Sequence, residues 1–202
     1  MLFWTSSAAI RCRKFKRRIN AGKVTRLSRG HLFLAGFMGA GKTTVGRLLA
    51  DRLNRAFLDT DEMVVEREGR SIPDIFESVG EPAFRDLETQ TLTEISKLST
   101  SVVVSLGGGV VLRDENWQLI HESGVCCYLN WPIQTLLNRI LNDRNRPLVA
   151  GTRGKDRELR LIALWQERQP FYSRADFRIS CSNEMSPSEV AESICSLIQR
   201  GN

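Results

Sequence analysis

The stretch Gly36–Thr44, GFMGAGKTT, constrains the fold of this 202-residue chain more than any other feature. It satisfies the pattern G-x-x-x-x-G-K-[ST], and it lies between an apolar stretch, HLFLA, and an amphipathic stretch, KTTVGRLLADRLNR. A strand that turns through glycines into a helix presents main-chain N–H groups and the positive helix end to phosphate oxygens. The pattern therefore predicts a strand–loop–helix unit that binds the phosphates of a nucleotide.

Each residue type in this loop has a chemical task in nucleotide binding. Glycines let the main chain fold closely around phosphate oxygens. The Lys42 ammonium is expected to reach the β- and γ-phosphates, and the Thr43 hydroxyl is a typical Mg²⁺ ligand. The motif leaves the reaction open, since kinases, GTPases, motors and transporters share it. The predicted ATP-binding residues of the loop are Gly39, Ala40, Gly41, Lys42, Thr43 and Thr44.

Short apolar stretches alternate with amphipathic ones along the rest of the chain. The predicted strands cover residues 31–37, 56–59, 101–106, 125–131 and 176–182. Helical patterns separate them, and the one over residues 71–98 has a predicted break near Gly80, with Pro82 in the first turn after it. This alternation predicts βαβ units and an α/β fold, a five-stranded parallel sheet flanked by helices.

Two acidic residues, Asp59 and Asp61, follow the second predicted strand. A phosphate-binding loop is normally paired with an aspartate at the end of another strand, which helps to hold Mg²⁺. The third predicted strand ends in Gly107–Gly109 instead, so the aspartate pair is the replacement. The residues alone leave three interpretations open: a metal site, a contact to a substrate hydroxyl, or a cap by Asp61 on the following helix.

The net charge of +6 belongs to one end of the chain. Nine of the 29 Lys and Arg residues and none of the 23 acidic residues lie in residues 1–30, which leaves a small acidic excess in the rest. We therefore expect no nucleic-acid partner for residues 31–202. Residues 1–30 lack a continuous apolar segment, and we predict a disordered basic extension, with an organelle transit peptide as the alternative.

Cysteine content and hydropathy indicate the compartment. The five cysteines form no C-x-x-C pair, and their odd number argues against a disulfide framework. No apolar run approaches the ~18 residues that a membrane helix needs. We expect a cytoplasmic protein with reduced thiols and no membrane contact, or a plastid protein if residues 1–30 are a transit peptide.

Six sequence pieces together carry a resemblance to a known family. They are GFMGAGKTTVGRLLA, FLDTDE, FRDLE, SLGGGVV, NRPLV and ERQPFYSRAD, and they occur in the order in which shikimate kinases have them. The resemblance covers about residues 31–200 and implies a three-layer P-loop kinase fold. The polar, glycine-containing segment over about residues 142–156 resembles the mobile lid of that family.

The resemblance implies a role for each residue of the substrate side. Asp59 matches the position associated with Mg²⁺, and Asp61 matches the residue that contacts the shikimate hydroxyls and serves catalysis. Arg85 and Arg168 match two arginines that grip the shikimate carboxylate, as suits planar bidentate donors. Glu88, three residues after Arg85 on a helix, can orient its guanidinium. The segment under the substrate is Gly107, Gly108 and Gly109.

The resemblance also implies roles for arginines around the lid. Arg146 matches the lid arginine that approaches the ATP phosphates, which makes Lys42, Asp61 and Arg146 the predicted catalytic residues. Arg139 is the first choice for the arginine that stacks on adenine, and Arg144 is the second.

The implied activity is ATP-dependent phosphorylation of the shikimate 3-hydroxyl, with Mg²⁺ as cofactor and ATP and shikimate as the only expected partners of a monomer. Two other hypotheses stay open. One is another small-molecule kinase of this fold, such as a gluconate kinase. The other is a non-catalytic nucleotide binder that uses the basic extension to contact a partner.

Overall fold

The computed structural model describes residues 30–142 and 155–199. Five strands occur in chain order: β1 (His31–Ala35), β2 (Phe57–Asp59), β3 (Val103–Ser105), β4 (Gly124–Asn130) and β5 (Phe177–Ser180). The helices are α1 (Lys42–Leu53), α2 (Thr60–Glu68), α3 (Ile72–Ser96), α4 (Asp114–Ser123), α5 (Ile133–Asn142), α6 (Lys155–Tyr172) and α7 (Pro187–Gln199), and a 3₁₀ turn covers Val110–Leu112. The predicted strands and the alternation with helices are confirmed.

The strands form one parallel sheet in the order β2-β3-β1-β4-β5. The central strand β1 is buried at all five positions, and β3 is buried throughout, which explains why both strands are mainly apolar. The strand order reverses beside β1, and the crevice past the carboxyl ends of strands at such a point is where parallel sheets bind ligands.

Helices cover both faces of the sheet, as the predicted three-layer arrangement requires. Right-handed crossovers place α1, which links β1 to β2, on the face opposite α4, which links β3 to β4. Helix α7 packs beside α1 on the first face, and the long helix α3 packs beside α4. The main core lies between these layers and contains the buried side chains of β1, β3 and β4.

Helix α3 is kinked at Gly80, where φ is 78° and ψ is 171°. A side chain with a Cβ rarely adopts that conformation, and Pro82 begins the new segment without needing an N–H partner. The break predicted near Gly80 is confirmed. The kink turns the second segment of α3 so that Arg85 and Glu88 face the crevice.

The segments that carry the remaining structural predictions lie outside the described residues. They are the basic extension, residues 1–29, and the centre of the predicted lid, residues 143–154, which includes Arg144 and Arg146. Those predictions stay predictions. In the part of the chain that the structure describes, no helix combines the length and the apolar character needed to cross a bilayer.

Candidate active site

The glycine-rich loop closes tightly between β1 and α1. Gly39 and Gly41 have φ values of 78° and 79°, in the left-handed region that favours glycine, and Gly41 directly precedes helix α1. The Lys42 ammonium donates to the carbonyl oxygens of Gly36 and Phe37 at 2.9 and 3.4 Å, so it lies across the mouth of the loop. The loop thus presents the helix start and one ammonium group to the same small space, as a phosphate site requires.

The structure brings the two predicted metal ligands together. The Thr43 hydroxyl donates to Oδ2 of Asp59 at 2.8 Å, although sixteen residues separate them in the chain. A hydroxyl and a carboxylate are oxygen ligands, the type that Mg²⁺ prefers, and Mg²⁺ commonly takes its other ligands from water and phosphate. This pair fits such an ion. Among the described residues, no group of three or more His, Cys, Asp or Glu side chains is arranged to hold a metal ion by itself, and an ion held by Thr43, Asp59, water and phosphate needs none.

Asp59, not Asp61, caps the helix that follows β2. Oδ1 of Asp59 accepts from the Asp61 N–H at 3.1 Å, and Asp61 lies in the first turn of α2. The interpretation of Asp61 as the cap is therefore wrong. Since α2 starts at Thr60, Asp59 and Asp61 do not lie in one extended segment with their carboxylates on the same face. The Asp59 carboxylate accepts from the Thr43 hydroxyl, and Asp61 lies in the first helical turn. Asp59 joins the nucleotide side to the substrate side through its two oxygens.

A cleft of about 300 Å³ opens beside the loop. Arg139 lies at its edge, where Nη1 donates to the Gly39 carbonyl at 3.1 Å and the guanidinium covers the Trp131 ring at 3.9 Å. The cleft also contains Pro187, at the start of α7, and Trp131, whose indole N–H donates to the Ala40 carbonyl at 3.0 Å. Its lining consists of Gly39, Ala40, Gly41, Thr44, Val45, Trp131, Arg139 and Pro187.

The sequence predictions missed Trp131 and Pro187 as lining residues. Their positions follow from the ends of β4 and β5, which meet the loop only when the sheet forms. The one available signal was the order of the parallel strands, since ligand sites gather at the carboxyl ends of the strands.

The second half of the site is built around the three consecutive glycines. A Cβ placed on Gly107 would lie 2.2 Å from Oδ1 of Asp61, and one on Gly109 would lie 1.7 Å from Nη1 of Arg85. A Cβ on Gly108 would lie 2.9 Å from Nη1 of Arg168. Side chains from α2, α3 and α6 therefore pack directly against this main-chain segment. The glycines leave room for three functional side chains to converge, so close approach is the physical reason for them.

Arg85 is held by two carboxylates and two aromatic rings. Its Nη1 donates to Glu88 at 2.6 Å and its Nη2 donates to Glu81 at 2.7 Å. The rings of Phe76 and Phe84 lie within 6 Å of the guanidinium carbon, at 5.9 and 5.5 Å. Burial alone would lower the pKa of Arg85, but the Glu88 and Glu81 carboxylates outweigh it and raise the pKa. The guanidinium is charged and fixed in orientation.

Glu88 is a buried carboxyl within this cluster. Burial raises its pKa to about 7, against the opposing effect of the Arg85 charge. The nearby Asp61 carboxylate raises the pKa further, whereas Arg168 lowers it. The pKa of Glu88 therefore depends on all three predicted substrate-binding side chains, Asp61, Arg85 and Arg168.

Arg168 and Tyr172 approach the glycine segment from α6. Arg168 Nη1 and the Tyr172 hydroxyl both donate to the Gly108 carbonyl, at 3.1 and 3.5 Å. The Tyr172 ring stacks on the Tyr128 ring at 5.1 Å, which anchors the end of α6 to the sheet. Burial raises the pKa of Tyr172 to about 12, so this hydroxyl remains a donor. Sequence reasoning did not identify Tyr172, although it lies in the quoted ERQPFYSRAD stretch.

Comparisons with known proteins agree with this geometry. A model of the family described as shikimate kinase matches residues 38–199. A shikimate kinase of Gloeobacter violaceus is 46% identical over 162 residues, which cover 80% of this chain and 88% of that protein. A shikimate kinase of Synechococcus elongatus is 42% identical over 175 residues, which cover 87% of this chain and 90% of the relative.

Solved structures give the same result. A shikimate kinase from Acinetobacter baumannii in complex with shikimate superposes with a TM-score of 0.78 and 35% identity, covering 91% of this chain and 99% of that one. A gluconokinase from Sinorhizobium meliloti has a TM-score of 0.54 at 14% identity, covering 86% of this chain and 94% of its own, and it shares the fold alone. Because the family model spans most of the chain and these relatives match over nearly their whole lengths, the chain belongs to the shikimate kinase family.

Proposed function

We propose that this chain transfers the γ-phosphoryl group of ATP to the 3-hydroxyl of shikimate, giving ADP and shikimate 3-phosphate for aromatic amino-acid biosynthesis. One observation carries the proposal. Asp59 bonds through one oxygen to Thr43 in the phosphate-binding loop and through the other to the N–H of Asp61, whose carboxylate lies against Gly107. A nucleotide at the loop and an acid substrate at the glycines would therefore be neighbours.

The substrate side fits a small ring acid with several hydroxyls. Arg85 and Arg168 supply planar donors for one carboxylate, and they approach the Gly107–Gly109 segment from two different helices. Glu88 holds Arg85 in place through a 2.6 Å bond. The glycines offer a main-chain floor on which a flat ring can rest, and Asp61 at its edge offers an acceptor for a hydroxyl.

Phosphoryl transfer through a loose transition state depends mainly on positioning and on neutralisation of charge. Lys42 neutralises the transferring group, and Asp61 aligns the attacking hydroxyl and accepts its proton. Thr43 and Asp59 would hold Mg²⁺, and the ion would supply positive charge that offsets the negative charge of the phosphates. Arg146 is proposed to add a further positive charge from the lid, and Arg139 is proposed to stack on the adenine ring.

A coupled ADP-release assay tests the proposal. Purified full-length protein with MgATP is given shikimate, gluconate or a nucleoside monophosphate as the acceptor. We expect turnover with shikimate and none above the ATPase background with the other two. Turnover with gluconate alone would assign the protein a gluconate kinase activity. Nucleotide binding without turnover on any acceptor would favour a non-catalytic binder.

Three coarser features accompany this function. We propose a monomer of one domain over residues 31–202, and a cytoplasmic location with the plastid alternative retained for residues 1–30. Four cysteines, Cys126, Cys127, Cys181 and Cys195, are free and buried, which suits a reducing compartment. Sedimentation of the purified protein would test the oligomeric state, and N-terminal sequencing of the natural protein would test the fate of residues 1–30.

A further inference from the structure

The guanidinium of Arg85 carries two carboxylates of very different character. Glu88 bonds to Nη1, and its side chain is 2% exposed. Glu81 bonds to Nη2 at 2.7 Å, and its side chain is 61% exposed. Glu88 belongs to the buried cluster, where it positions the arginine. Glu81 reaches the same arginine from the solvent side, one turn earlier on α3.

Glu81 holds its position through a local feature of the helix. It directly follows Gly80, whose positive φ breaks α3, and it lies in the first turn of the new segment. From there it faces Arg85 in the i, i+4 spacing that supports helical ion pairs. Arg85 is only 13% exposed, but it keeps its bond to the buried Glu88, and water solvates the exposed Glu81 carboxylate well once that carboxylate moves away. Glu81 can therefore leave Arg85 at a small cost.

The charges around the Gly107–Gly109 segment explain why Glu81 would leave Arg85 when a substrate binds. Arg85 and Arg168 face three carboxylates, those of Asp61, Glu81 and Glu88. A substrate carboxylate that binds Arg85 adds another acidic group beside a guanidinium that already contacts Glu81 and Glu88. Like charges at contact distance repel, and the exposed group moves more easily than the buried one.

We propose that Glu81 is a specificity-determining residue that occupies Arg85 as an internal substitute for the substrate carboxylate. This inference rests on the proposed function, in which Arg85 is the group that binds the substrate carboxylate. A small anion that contacts Arg85 alone gains too little to displace Glu81. A substrate that also contacts Asp61 and Arg168 gains enough. Displacement of Glu81 costs every anion about the same affinity, and this cost excludes ligands that bind weakly because they contact Arg85 alone.

The test compares the Glu81→Gln variant with wild type and with Glu77→Gln, a matched change of an exposed glutamate in the same helix. At low ionic strength we expect Glu81→Gln to lower the shikimate KM about two- to fivefold, the range of an exposed ion pair. We expect kcat and the ATP KM to stay unchanged. Inhibition by acetate or benzoate should strengthen at least as much, and Glu77→Gln should behave as wild type.

A double-mutant cycle identifies the partner. In an Arg85→Ala background, Glu81→Gln should no longer change the shikimate KM, because the shared guanidinium is absent. If the KM is unchanged or raised in the single variant while wild type remains active, Glu81 braces Arg85 and the inference is wrong, but the proposed function stands. If wild type has no turnover with shikimate, the proposed function fails and the inference fails with it.

Discussion

The two halves of the active site use different kinds of chemical group, main-chain groups in one and charged side chains in the other. The nucleotide half is a continuous stretch, Gly36–Thr44, whose ligands are mainly main-chain groups fixed by three glycines of positive φ, Gly36, Gly39 and Gly41. The substrate half gathers charged side chains from α2, α3 and α6 around the main chain of Gly107–Gly109. The first half carries a motif that kinases, GTPases, motors and transporters share, and the second half is proposed to distinguish one acid from another.

This difference separates the expected effects of mutation. A change in the loop should alter the handling of ATP, whereas a change around the three glycines should alter the handling of the acid. Asp59 is the exception, because it contacts both halves through Thr43 and the Asp61 N–H. A loop variant that changes the shikimate KM, or a variant near the three glycines that changes the ATP KM, would show that the two halves are not independent.

The largest effect is expected for Asp61→Asn. The amide keeps the size of the side chain but cannot accept the proton of the attacking hydroxyl, so kcat should fall about 10²- to 10⁴-fold. ATP affinity, measured by calorimetry, should stay near that of wild type because Asp61 lies against Gly107 and not in the loop. Glu66→Gln, an exposed change in the same helix, is the control. Near-normal turnover in the Asn variant would remove Asp61 from catalysis.

The second effect concerns the carboxylate grip. Arg85→Ala removes a guanidinium that two carboxylates and two rings hold in place, and the shikimate KM should rise about 10- to 100-fold, as for a lost charge-assisted bond. The ATP KM should change little. Arg67→Ala, which breaks an exposed ion pair with Glu94, serves as the comparison. An unaltered shikimate KM in Arg85→Ala would contradict the assignment.

A pair of glycine substitutions tests the contrast between the halves directly. At Gly109, φ is −101°, so alanine fits the backbone, but its Cβ would lie 1.7 Å from Nη1 of Arg85. At Gly41 nothing lies within 4 Å of a new Cβ, but φ is 79°. We expect Gly109→Ala to raise the shikimate KM and Gly41→Ala to raise the ATP KM, each about tenfold, a strain or clash near 1–2 kcal/mol. Steady-state kinetics in both substrates would show whether either substitution also raises the KM of the other substrate.

The same contrast explains what could be predicted from sequence. The loop is contiguous, so its residues and its strand–loop–helix context are readable together, and the sheet and the break at Gly80 follow from local pattern. The substrate half depends on residues up to about a hundred positions apart, and only the family resemblance placed Arg85 and Arg168 together. Trp131, Pro187 and Glu81 lay beyond both kinds of reasoning, because their roles come from packing between elements. The helix cap shows where local pattern ends, because α2 begins at Thr60 and its cap is therefore Asp59, two positions before the candidate Asp61.

The last prediction concerns stability instead of kinetics and comes from Glu88. Its pKa is raised by burial from 4.5 to about 7, so between these pH values the folded protein retains a proton that the unfolded chain has lost. The free energy of unfolding should therefore fall as pH rises through this window, by no more than about 1.4 kcal/mol per pH unit for one proton, and level off above it. Glu88→Gln cannot titrate, so the difference in unfolding free energy between wild type and this variant should fall from pH 5 to pH 7. Urea denaturation between pH 5 and pH 7 measures this difference, with Glu66→Gln as the exposed control. A difference independent of pH would mean that Glu88 is ionised throughout this range, and that the Arg85 charge offsets the effect of burial on the pKa of Glu88.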